Sequence, residues 1–192
     1  MSKFEPVLWP EEPVPSEFRD CLTCGLYKHG TRMVWGEGNP DAPILILLDN
    51  PGAREDKEGQ PFVCGTRQTL QTALHESGLA MEDVYVTYIL KRRPTRAYDK
   101  ETVRETCRMT HLTWQLKTKQ PRLIVCLGNI AVQAFFQNPT AEVKALRGKS
   151  HDVQNVPTFV AYHPLAVRRR PNLMKLFLQD WQEVTAYYRA LN

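Results

Sequence analysis

Apolar residues fall along this chain in two rhythms. Four short segments, 44–49, 84–90, 123–128 and 158–162, carry the apolar content of β-strands, and Ile44–Leu48 and Leu123–Leu127 are unbroken apolar runs. Unbroken runs of that length suit parallel strands covered on both faces, whereas a half-exposed strand would alternate. Between them the spacing changes to three and four. Leu70, Leu74 and Ser77 share one face of a helix predicted over 66–77, and Val103, Cys107, His111 and Trp114 line one over 101–118. A short helix is predicted over 129–137 after Gly128, and a last one over 173–191 carries Leu173, Phe177, Trp181, Val184 and Tyr188. Strands alternating with helices predict an α/β fold, a three-layer α/β/α sandwich around a mostly parallel four-stranded sheet. Ligands in such sheets bind beyond the carboxyl ends of the strands.

A length of 192 residues suits one domain. Residues 1–20, with four prolines and several acids, read as an extended leader lying on a single domain over 21–192. The longest apolar run is strand-sized, far below the roughly 20 residues that span a bilayer. No secretory signal is evident, so a cytoplasmic protein without a membrane partner is expected. The net charge of +4 implies no partner by itself. Its distribution says more. Lys91, Arg92, Arg93 and Arg96 form one basic run and Arg168, Arg169 and Arg170 another, each just after a predicted strand. Either run alone reads as solvated surface; two at strand ends suit a face that meets phosphates. Five cysteines, an odd number, argue against a disulfide framework. Cys21 and Cys24 have metal-ligand spacing, and Cys126 sits inside an apolar strand.

Three segments gather chemistry at strand ends. The first strand runs into Asp49-Asn50-Pro51-Gly52, two polar side chains before a turn whose glycine lets a ligand approach the backbone; the same residues also make an ordinary βα turn. Phe62 stands in a Gly/Pro-rich loop, placed either to stack a planar base or to plug the loop onto the core. His163 ends the fourth strand ahead of Pro164 and the arginines, where it can donate to a ligand.

In order, these segments and Val84-Tyr85-Val86-Thr87, Lys91-x-Arg93-Pro94 and Leu123 to Gly128 resemble uracil-DNA glycosylases, most of all the family 4 type that often carries an iron–sulfur cluster. The resemblance runs from about Cys21 to Trp181. It implies a monofunctional glycosylase of base excision repair, a monomer that flips uracil from DNA and hydrolyses its N-glycosidic bond. Asp49 falls where family 4 has a glutamate, and Asn50 where other branches have a catalytic asparagine. Phe62 matches the aromatic that stacks on the flipped base, and His163 the donor to the base O2, a role that wants a neutral ring. Gly52 belongs with the base-binding residues. Arg168 and Arg169 fall in the loop expected to meet DNA, with Lys91 and Arg93 as further phosphate contacts.

Two positions depart from the family. Tyr88 stands where an asparagine reads the uracil edge, which admits another deaminated or modified base as substrate, or a non-catalytic damage-sensing module. Cys21, Cys24 and Cys107 match three of four cluster cysteines, but the fourth position is Arg92. Three outcomes stay open: His111 completes a Cys3His site for zinc or a cluster, a three-cysteine [4Fe-4S] cluster takes a non-protein ligand, or no metal binds.

Overall fold

The structure is a computed structural model that describes residues 4–57 and 63–191. Its centre is a six-stranded sheet in the order β1-β3-β2-β4-β6-β5. The four predicted strands are its parallel middle: β2 (Ile44–Leu48), β3 (Val84–Tyr88), β4 (Leu123–Leu127) and β6 (Val156–Ala161). Every residue of β2, β3 and β4 is buried, which explains the unbroken apolar runs of β2 and β4.

Alternate side chains feed two cores. Ile44, Ile46, Val125 and Leu127 pack against Leu70 and Leu74 of α1 (Gly65–Ser77) and against Phe177 and Trp181 of α7 (Met174–Ala190). Leu45, Leu47, Ile124 and Cys126 face the other way. They meet Val103 and Cys107 of α2 (Lys100–Cys107) and Ala131, Val132 and Phe135 of α4 (Asn129–Phe136). The sandwich has helices on both faces of the sheet, as the periodicity requires.

Four details correct the expectation. The sheet has six strands because two antiparallel edges were too short to read: β1 (Glu37–Gly38) and β5 (His151–Val153). β5 joins β6 through Gln154 and Asn155, both at positive φ, the conformation of a tight hairpin turn. The helix expected over 101–118 is broken by a π turn at Arg108–Leu112, followed by α3 (Thr113–Lys119). Short helices α5 (Val143–Leu146) and α6 (Pro164–Arg169) had no periodic signal of their own.

The leader is tied down from Phe4 onward, whose ring stacks on His75 with centres 4.3 Å apart. Val7 and Gln71 exchange two hydrogen bonds of 2.8 and 2.7 Å, Glu11 bridges Glu37, and Phe18 stacks on Trp35 with ring centres 5.2 Å apart. Among the described residues no helix is long and apolar enough to cross a membrane.

Candidate active site

The carboxyl ends of the parallel strands open onto a cleft of about 600 Å³, in the size range of small-molecule sites. Asp49, Asn50, Gly52, Tyr88 and His163 all line it. All but Gly52 stand on the residue or two where a buried strand gives way to a loop. β2 delivers Asp49 and Asn50, β3 delivers Tyr88, and His163 follows β6.

Asp49 is mostly buried, and burial raises its pKa; the positive charges of Arg104 and Lys100 oppose that shift. Arg104 Nε lies 3.9 Å from Asp49 Oδ1, too far for a hydrogen bond. Both atoms are buried without a hydrogen-bond partner among the described residues. The amide nitrogen of Asn50 donates to the Pro51 carbonyl at 2.8 Å, which leaves its oxygen to receive a donor.

His163 is the N-cap of α6, and its Nδ1 accepts the backbone N–H of Leu165 at 3.1 Å. A neutral imidazole with Nδ1 accepting must carry its proton on Nε2. Burial, and then the charge of Arg67, lower the pKa to about 4, so the ring is neutral at ordinary pH. Gly128, at φ 89°, makes room for it: a Cβ there would sit 3.0 Å from the Cβ of His163.

Tyr88 is fully buried at the end of β3, and its oxygen accepts from Arg67 Nη2 at 2.7 Å. Arg67 enters from α1 and is also buried. Its Nε is paired with Glu37, and its Nη2 lies 3.8 Å from Glu55. Burial works against the charge on Arg67, but Glu37, Tyr88 and Glu55 outweigh it and hold the guanidinium protonated. Burial pushes the Tyr88 phenol well up, so it keeps its proton. Arg67, Glu55 and Arg104 were not singled out from sequence. The clue for Arg67 was its spacing, since 67, 70 and 74 share one helical face, and an arginine on an apolar face needs partners.

The basic residues divide. Lys91 cannot touch DNA, which corrects its expected role. It is fully buried, and Nζ donates to Thr87 Oγ1, the Tyr88 carbonyl and Gln115 Oε1 at 2.7, 2.7 and 2.6 Å. Burial lowers its pKa to about 7. Arg93 is partly exposed, 4.0 Å from Asp56. Arg168 and Arg169 are exposed, but they lie on α6 rather than in a loop, because His163 and Pro164 start a helix there. Phe62 lies outside the described residues.

Cys24, Cys107 and Cys126 belong to the core on the far side of the sheet from α1, whereas Cys64 caps α1. The Cys107 thiol, the largest influence on Cys24, lowers the Cys24 pKa to about 6, and Cys107 Sγ is 3.3 Å from His111 Nδ1. Cys21 Sγ instead lies 3.1 Å from Thr23 Oγ1. Arg92 reaches back to the Thr31 carbonyl. Among the described residues no group of three or more His, Cys, Asp or Glu is placed to hold a metal ion. With Arg92 at the fourth position and Cys21 Sγ turned to Thr23, the four-thiolate set of the family is incomplete.

Comparison with known proteins agrees with this fold. The family model for the uracil DNA glycosylase superfamily matches residues 35–185. A type-4 uracil-DNA glycosylase of Archaeoglobus fulgidus is 33% identical over 180 residues, covering 90% of each chain. Its counterpart in Sulfurisphaera tokodaii is 32% identical over 181 residues, 90% of this chain and 82% of its own. The Thermotoga maritima protein of that name is 31% identical over 184 residues, 93% and 94% of the two chains.

Proposed function

Since this chain belongs to the uracil-DNA glycosylase superfamily, we propose that it is a monofunctional DNA glycosylase of base excision repair that removes uracil. The supporting observation is a single cleft that holds a buried carboxylate, an amide oxygen and a neutral imidazole with its proton on the outer nitrogen.

Hydrolysis breaks the bond between C1′ of the deoxyribose and N1 of the base and forms one from C1′ to a water oxygen. The sugar gains positive charge and the base leaves with the electron pair of the broken bond. Asp49, with the oxygen of Asn50, holds the attacking water, and the Asp49 carboxylate takes its proton. The Nε2–H of His163 donates to the base O2 as charge develops there. A neutral donor suits this role, because it leaves the proton on the protein while stabilising the anion. The extruded nucleotide is a DNA residue whose flanking phosphates meet Arg168 and Arg169, exposed on α6. Duplex DNA is the only macromolecular partner this mechanism needs, so the protein acts as a monomer.

The test is a gel assay of abasic-site formation in an oligonucleotide carrying one uracil. Wild-type protein is expected to convert it. His163→Ala is expected to lower the single-turnover rate about 10²–10³-fold, the usual cost of one anion-stabilising donor. Folded wild-type protein that yields no abasic site overturns the proposal.

A further inference from the structure

Tyr88 and Arg67 form a buried unit in the cleft that the mechanism above leaves unused. The phenol oxygen takes part in one hydrogen bond among the described residues, and in it Arg67 is the donor. Arg67 in turn is held from behind by Glu37 and Glu55, so its Nη2 cannot swing away from the tyrosine. Glu55 is itself fixed under the turn of Gly52, where a Cβ would come within 2.6 Å of its Oε2. The direction of that bond decides what the phenol offers. One lone pair is taken by a cation, and the hydroxyl proton has no partner among these groups.

We propose that Tyr88, oriented by Arg67, reads position 4 of the extruded pyrimidine as a single O–H donor and so selects bases with a carbonyl there. This rests on the glycosylase reading. An amide at this place both donates and accepts, and so reads two edge groups together. The Tyr88 hydroxyl is restricted to donating, because a second N–H arriving at its oxygen would converge on the guanidinium already bound there. Uracil, with O4, satisfies it. Cytosine, with an amino group at the same position, brings a donor against a donor and leaves buried polar groups unpaired, the situation that gives polar sites their strongest discrimination. The phenol's raised pKa keeps the donor in place across the working range.

The experiment compares single-turnover base release from duplexes containing uracil, 4-thiouracil or cytosine at one position. 4-Thiouracil keeps N3–H and O2 but offers sulfur, a weak acceptor, at position 4. Wild-type protein is expected to release uracil about 10-fold or more faster than 4-thiouracil and to leave cytosine intact. Tyr88→Phe keeps the ring and loses the donor. Its uracil rate is expected to fall about 10–100-fold, with the uracil to 4-thiouracil ratio dropping towards one. Equal release of uracil and 4-thiouracil by the wild type overturns the inference without needing a variant. So does a Tyr88→Phe protein that keeps the wild-type rate and ratio. Wild type that releases no uracil overturns the glycosylase reading as well, so the two failures are distinct.

Discussion

Two arginines, the buried Arg67 in the cleft and the half-buried Arg92 in the cysteine corner, do opposite things with the same chemistry. Arg67 is paired with Glu37, lies near Glu55 and donates to Tyr88. Arg92 ends on one backbone carbonyl, that of Thr31, and its Nε is buried with no partner among the described residues. Both regions depart from the pattern that the chain otherwise resembles. In the cleft the departure comes with a set of matched charges, which is what a selected polar site requires. In the corner the thiols of Cys21 and Cys107 turn to Thr23 and His111, and the arginine has no carboxylate among the described residues. A buried ion network marks where the fold specifies a structure; an under-satisfied arginine marks where it does not.

The same substitution at both positions sharpens that contrast. Arg67→Met leaves Glu37 and Glu55 without their cation and is expected to cost about 3–5 kcal/mol in urea unfolding. Arg92→Met loses one hydrogen bond to a carbonyl and is expected to cost about 1 kcal/mol. Equal costs would erase the distinction between the regions.

A smaller effect concerns the cleft alone. Asp49 must be ionised to accept a proton, and the charge of Arg104 favours the ionised form against burial. Removing that charge raises the pKa of Asp49, so the carboxylate is lost at higher pH as the solution is acidified. The acid limb of the pH–rate profile of Arg104→Ala is therefore expected to lie at higher pH than in the wild type. His163, with its pKa near 4, stays neutral above that pH and shapes only the lowest part of the profile.

The smallest expected effect is at the corner. Metal analysis of freshly purified protein is expected to find iron and zinc well below one atom per chain, and a chelator to leave the melting temperature unchanged. Stoichiometric iron, or a chelator that lowers the melting temperature, would restore the corner to the status of a metal centre.

The middle of the fold was legible because burial on both faces leaves an unbroken apolar signature, as in Ile44–Leu48 and Leu123–Leu127. The edges were not. β1 has two residues and β5 three, and their ends are fixed by pairing rather than by composition. Asp49, Asn50, Tyr88 and His163 could be placed from sequence because strand ends in a parallel sheet converge. Lys91 misled for a related reason. It sits in a basic run, but the chain is still paired there, since Ile89 and Leu90 donate to Leu48 and Asp49. That continued pairing carries its side chain inward, onto Thr87 and Gln115. Arg67 stayed hidden because its partners come from three different segments, Glu37, Glu55 and Tyr88, which no local pattern connects.

The bond from the Leu165 amide to Nδ1 of His163 mounts the imidazole on the helix that also presents Arg168 and Arg169. In the proposed reaction the proton donor and the arginines assigned to the DNA backbone are thus parts of one rigid lever. Seating the lever against a strand sets how far the donor reaches towards the turned-out nucleotide. Recognition of the polymer and polarisation of the leaving group become a single mechanical adjustment.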